Sequence, residues 1–211
     1  MASRRHILVL GDQLTRSVGP LASAEPSSTS VLMIESIALA DSVPHHKQKL
    51  VLFFSAMRHF ANGLRDAGFT VCYHQAASFE AGLTSHIEAE KPETIEVMEP
   101  TDWGYVDRLC EAADSAGCHV EVVPNELWLT DADDFDSWAE GRKSLRLEYF
   151  YREERKRRGW LMDDGEPAGG RWNFDKDNRQ TPDDDHVFPN AARFEPDEIT
   201  RDAIDEVESR W

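Results

Sequence analysis

Residues 70–123, TVCYHQAASFEAGLTSHIEAEKPETIEVMEPTDWGYVDRLCEAADSAGCHVEVV, alternate short β-rich runs with helical stretches. Thr70–His74, Thr94–Met98 and His119–Val123 have the length and composition of strands; Phe79–Ala89 and Tyr105–Ala116 have helical spacing, and each helix ends near a Gly or Pro. Working back toward the amino terminus, Leu50, Phe53, Phe54, Met57, Phe60, Ala61 and Leu64 make an i, i+3, i+4, i+7 stripe between Pro44, a helix-starting residue, and Gly68. Val31–Ile34 and His6–Leu10 (HILVL) are continuous apolar runs, the pattern of strands buried on both faces. Residues 15–29, rich in Ser, Pro, Ala and Gly, predict an irregular crossover. The whole predicts an α/β fold: a Rossmann-like, doubly wound, five-stranded parallel sheet with right-handed crossovers over 1–130, then a helical and irregular extension over 131–211.

Bulk properties bound the function. Forty acidic against twenty-three basic residues give a net charge of -17, which repels nucleic acid, so DNA is not expected as a partner of this chain alone. Such a solvated acidic shell suits a high-salt habitat. No run approaches the roughly 20 apolar residues of a membrane span, and Met1-Ala2-Ser3-Arg4-Arg5 leads straight into a strand without a secretory core, so a cytoplasmic protein is expected. Cys72, Cys110 and Cys118 lack a CxxC spacing and read as small core or surface residues.

No GxGxxG or GxxxxGK[ST] follows any strand, which weighs against dinucleotides and P-loop nucleotides; Gly11-Asp12-Gln13-Leu14 is the nearest approach. Ligands of such sheets sit beyond the carboxyl ends of the strands, where the strand order reverses. That rule selects Asp12 and Gln13 after the first strand, Glu35 and Ser36 after the second, and Glu99, Pro100 and Trp103 after the fourth. Carboxylates, an amide and an indole suit a planar heterocycle carrying polyol hydroxyls. Each residue also has a plainer reading, Asp12 as a turn former and Asp102 as a helix N-cap among them. His45-His46 is a poor metal pair, since adjacent residues diverge on a helix and Lys47 and Lys49 stand beside them.

The extension carries Glu148–Arg179, EYFYREERKRRGWLMDDGEPAGGRWNFDKDNR. Glu148 with Arg152, Glu153 with Arg157 and Glu154 with Arg158 predict i,i+4 pairs along a helix. Tyr149, Phe150, Tyr151 and Trp160 surround it, and a glycine-broken loop follows with Trp172 and Phe174. Two readings stand: the belt tucks onto its own domain, or Tyr149, Tyr151, Arg152, Trp160, Trp172 and Phe174 form an interface for a partner, with self-association as one outcome.

Val43–Ala61 (VPHHKQKLVLFFSAMRHFA), Glu148–Arg179 and Leu10-Gly11-Asp12-Gln13-Leu14 together resemble the amino-terminal part of the photolyase-related cryptochromes, the iron-sulfur bacterial branch also called prokaryotic (6-4) photolyases. The resemblance covers nearly the whole chain. It implies an antenna domain, which holds 6,7-dimethyl-8-ribityllumazine as a light-harvesting chromophore, followed by an interdomain connection, with contacts mapping onto Asp12, Gln13 and Glu35; Phe53, Glu99 and Trp103 are added on geometric grounds. It further implies a helical domain, expected to be missing from this chain or separately supplied, that binds FAD, the DNA-repair lesion and a 4Fe-4S cluster. Pro196–Trp211 would start the link to it. On this reading the chain alone is non-catalytic; the alternative is an interaction domain that docks a helical partner through 148–179.

Overall fold

A computed structural model describes residues 4–179 and 181–211; the Met1-Ala2-Ser3 used in excluding a secretory signal lies outside them. Two compact units result, Met1–Leu129 with Glu195–Trp211, and Thr130–Phe194. The first contains β1 (Arg5–Leu8), β2 (Thr29–Ser36), α1 (Ile37–Asp41), α2 (Lys47–Asp66), β3 (Thr70–Ala76), α3 (Phe79–Glu90), β4 (Thr94–Met98), α4 (Tyr105–Ser115) and β5 (His119–Val123). The second contains α5 (Ala132–Ala139), α6 (Leu147–Arg158), β6 (Met162–Asp163) and β7 (Glu166–Pro167), after which α7 (Glu198–Arg210) returns to the first.

The strands lie in the order β3-β2-β1-β4-β5, and every pairing is parallel, so the unit is Rossmann-like α/β. The chain winds outward from β1 to β3, then crosses to the other side of β1 for β4 and β5. The reversal point is therefore the β1–β4 boundary. Burial on both faces explains the unbroken apolar runs: Ile7, Val9, Val31 and Met33 pack on Met57, Ala61 and Leu64 of α2, while Leu8, Leu10, Leu32 and Ile34 pack with Phe79, Leu83 and Ile87 of α3 and Leu109 of α4. Residues 15–29 make two 3-10 turns, Pro20–Ser23 and Pro26–Ser28.

The sequence reading differs from the structure at three places in this unit. Helix α2 begins at Lys47, because the His46 ring accepts the Gln48 amide and so caps it, leaving Pro44 outside. Helix α1 was not anticipated; Ser36 caps it, accepting the Leu39 amide. Most consequentially, Ala203 and Val207 of α7 are 0% exposed against Ala40, Leu50 and Phe54, so the closing helix completes this core rather than extending a connector.

Gly82 shows how tightly α3 sits. A β-carbon there would come within 2.7 Å of Ile34 Cγ2 and 3.2 Å of Ala76 Cβ. Gly82→Ala is expected to destabilise the protein by about 1–2 kcal/mol in chemical denaturation, because overpacking outweighs the ~1 kcal/mol of helix propensity that alanine contributes.

In the second unit, Phe135 and Trp138 of α5 cluster with Phe150 of α6 at ring separations of 5.2–5.6 Å. Gly159 ends α6 in the left-handed region, and Asp164-Gly165, both at positive φ, turn the β6–β7 hairpin. The basic run on α6 has internal partners: Arg152 meets Glu148, Arg157 meets Asp134 and Glu154, and Arg158 meets Glu154. Glu153 pairs with Arg142 instead of Arg157, which Asp134 has taken. Arg155 is buried, donating to the carbonyls of Trp160, Leu161 and Trp172 and to the Tyr151 hydroxyl. Trp172 lies under Arg152, Arg155 and Lys156, 5.3–5.4 Å from each. Trp172 and Arg152 are thus engaged within the unit. Tyr149, Tyr151, Trp160 and Phe174 remain more than a third exposed.

Candidate functional site

The turns after β1 and β4 and the end of β2 open, with the start of α2, on a cavity of about 530 Å³, within the 300–1,000 Å³ range of small-molecule sites. Its apolar walls are Leu39, Phe53, Phe54, Met57, Phe79 and Tyr105, and its polar groups include Asp12, Glu35, Ser36, Asp102, His45 and Lys49. The arrangement follows from topology: the chain leaves β1 toward β2 and later returns from β3 to the other side of β1, so no crossover covers the boundary between the ends of β1 and β4.

Of the residues selected from sequence, Asp12, Glu35, Ser36, Phe53 and Pro100 come together on this lining. Asp12 is exposed and accepts from the Thr101 hydroxyl at 3.2 Å. Ser36 caps α1, as described. Gln13 is brought near but turned away: it is buried, and its amide donates to the carbonyls of Met98 and Glu99 at 3.0 and 3.1 Å, fastening the β1 turn to the end of β4. Glu99 contributes only that backbone carbonyl, which Asn125 shares, and its side chain is not part of the lining. Trp103 is 103% exposed and stands outside the cavity, so it supplies no aromatic wall; Phe53, Phe54 and Tyr105 do. Gly104, not Asp102, precedes α4 as its cap, which leaves Asp102 free to face the cavity. His45, Lys49, Asp102 and Tyr105 were missed as lining residues, although the first three lie beside motifs the sequence singles out.

Glu35 is 4% exposed and saturated by the protein. Arg58 of α2 grips it from Nε and Nη2 at 3.0 and 2.6 Å, and the hydroxyl of Tyr73 and the amide of Gln75 donate to it as well. Arg58 and Gln75 also reach Glu206 on α7. Burial would lower the basicity of Arg58, but the two carboxylates more than offset that and raise its pKa. Burial, reinforced by Glu35, likewise keeps the Tyr73 phenol protonated. A carboxylate so occupied shapes the cavity floor and locks α2, β3 and α7 together; it has little capacity left for a ligand's donors.

Two other constellations resemble reactive sites. Ser55, His59 and Asp197 form a chain of contacts at 3.3 and 2.6 Å, but Ser55 is buried in α2, its hydroxyl is shared with Thr200, and His59 Nδ1 also meets the Ser55 carbonyl. The chain latches the start of α7, whose cap is Asp197. The second is a row of imidazoles, His6 on β1, His86 on α3 and His74 on β3, with His86 5.8 Å from each neighbour. His86 is 1% exposed and neither ring nitrogen has a hydrogen-bond partner. Burial, with the neighbouring imidazoles, pushes its pKa down to about 4. Among the described residues no group of three or more His, Cys, Asp or Glu is arranged to hold a metal ion, and no helix is long and apolar enough to cross a membrane.

Residues 7–211 match the family described as deoxyribodipyrimidine photo-lyase-related protein. The chain is 40% identical over 208 residues to a (6-4) photolyase of Agrobacterium fabrum (strain C58 / ATCC 33970), an alignment covering 96% of this chain and 41% of that protein. It is 23% identical over 167 residues to Uncharacterized protein R852 of Acanthamoeba polyphaga mimivirus, covering 74% of this chain and 85% of that one. The chain thus spans about two fifths of the photolyase. A match along nearly its whole length, with a long relative well above 30% identity, establishes that the chain belongs to the deoxyribodipyrimidine photo-lyase-related protein family.

Proposed function

We propose that the α/β unit is a chromophore-binding antenna domain, and that its cavity holds a planar heterocycle with a polyol chain, 6,7-dimethyl-8-ribityllumazine. The observation that carries this reading is an open cavity at the strand-order reversal that combines aromatic walls with carboxylate, hydroxyl and cationic groups. Phe53, Phe54 and Tyr105 would flank the ring, and Asp12 and Asp102 would accept from ribityl hydroxyls. Glu35, held by Arg58, would set the shape of the floor. The bound chromophore would absorb light and pass excitation to a flavin. That flavin, the 4Fe-4S cluster and lesion repair belong, on this reading, to further parts of a longer protein like the (6-4) photolyase. In its cellular setting the domain would be cytoplasmic.

Fluorescence titration tests the reading. The lumazine emission is expected to be quenched or shifted by the protein, and Asp12→Ala to weaken binding about tenfold, the worth of one hydrogen bond to a charged acceptor. Trp103→Ala should leave the titration unchanged, because its ring lies outside the lining. Emission indistinguishable from that in buffer would refute the proposal.

A second reading rests on the exposed side chains of the other unit. Leu147, Tyr149, Tyr151, Trp160 and Leu161 are all more than a third exposed, which fits a surface that docks a helical partner. Under this reading light scattering would show concentration-dependent self-association, abolished by Trp160→Ser with Leu161→Ser.

A further inference from the structure

The cavity has no glycine cradle for a phosphate group. In phosphate-binding sheets of this topology a glycine after the first strand lets the backbone approach the phosphate, and amides and cations surround it. Here the bare face of Gly11 is already taken, since a β-carbon on it would lie 3.0 Å from the Met57 sulfur. This glycine serves the packing of α2 and leaves no cradle. Two of the turn's amides are engaged as well: that of Gln13 donates to the Leu10 carbonyl and that of Thr15 to the Gln13 carbonyl.

The wall beside this turn carries carboxylates. Asp12 and Asp102 line the wall made by the ends of β1 and β4, and among the described residues neither has an ion-pair partner. Arg58 does not reach the lining, being committed to Glu35 and Glu206. Lys49 is the one lysine or arginine on the lining; it belongs to the wall made by α2, with its ammonium 5.9 Å from the centre of the Phe53 ring. A dianion at the end of a polyol would face two carboxylates at the wall best suited to hydroxyl donors.

Building on the antenna reading, we propose that this cavity selects its ligand by charge. It accepts a heterocycle whose polyol ends in a free hydroxyl and rejects the same molecule carrying a terminal phosphate. Asp12 and Asp102 determine that specificity, because a carboxylate accepts from hydroxyls and repels phosphate oxygens.

The test compares 6,7-dimethyl-8-ribityllumazine with its ribityl 5′-phosphate by fluorescence titration of the full chain. The free polyol is expected to bind at least about tenfold more tightly at low salt, and the gap to close as ionic strength rises toward 1 M, where the screening length falls to roughly 3 Å. Asp12→Asn with Asp102→Asn should narrow the gap at low salt; the salt series on the unaltered protein gives the same answer if that variant does not fold. Equal or tighter binding of the phosphate, or a gap that ignores salt, overturns the charge selection while leaving the antenna reading standing. Binding of neither compound overturns the antenna reading, and this inference with it.

Discussion

Arg58→Met is expected to lower the stability of the protein by about 3–5 kcal/mol in urea or guanidinium unfolding, the largest effect of any single substitution considered. The reason is asymmetric. Arg58 and Glu35 form a bidentate pair in which the carboxylate is 4% exposed, and removing the cation leaves a buried anion to Tyr73 and Gln75 alone. The Coulomb gain of such a pair is largely spent on desolvation, so the cost comes from the orphaned partner more than from the lost attraction. Adding Glu35→Leu to Arg58→Met should therefore recover much of the loss, although Glu206 also loses its contact with Arg58. A single variant within 1 kcal/mol of the parent would show that the carboxylate is solvated, contrary to the described packing.

The second large effect is acid destabilisation through the imidazole row. His86 has a native pKa of about 4, whereas in an unfolded chain it is near 6.5. A base whose native pKa is depressed binds its proton more readily when unfolded, so stability is full above about pH 6.5 and falls as the pH drops toward 4. For His86 alone the loss by pH 5 is on the order of 2 kcal/mol. His6 is shifted the same way, by burial and the nearby Arg4, against the opposing charge of Glu90. His59 acts in the opposite sense: Asp197 raises its pKa, so its contribution is present below about pH 6.5 and lost as the pH climbs through the native value. Asp197, held down to about 2 by that contact, changes nothing between pH 4 and 6.5. Both lie at the surface, where ion pairs count for little, and the buried row prevails. His86→Phe should flatten the decline between pH 6.5 and 5 in thermal melts; an unchanged slope would assign the acid response elsewhere.

The strands and most helices were legible because burial imposes periodicity. Thr94–Met98 and His119–Val123 coincide with β4 and β5, and the apolar runs of β1 and β2 announced strands covered on both faces. The strand-end rule reached Asp12, Glu35, Ser36 and Pro100, all on the cavity. It failed for Glu99 and Trp103, since it gives positions along the chain but not the direction in which a turn aims its side chains. Arg58 was invisible for another reason. It lies on the polar margin of α2, and its importance depends on Glu35 and Glu206, twenty-three residues before it and 148 after it. The capture of Trp172 by its own helix was equally unreadable, because a glycine-broken loop has no period to indicate where it folds back.

The return of α7 has a consequence for how the polypeptide is made. A ribosome that has finished β5 has produced every strand of the sheet, yet Ala40, Leu50 and Phe54 still lack Ala203 and Val207, which emerge only after all of Thr130–Phe194 has been translated. During that interval a greasy seam stays open on the nascent sheet. The later segment, Thr130–Phe194, is thus complete before the earlier one closes, and synthesis order and closure order run opposite to each other.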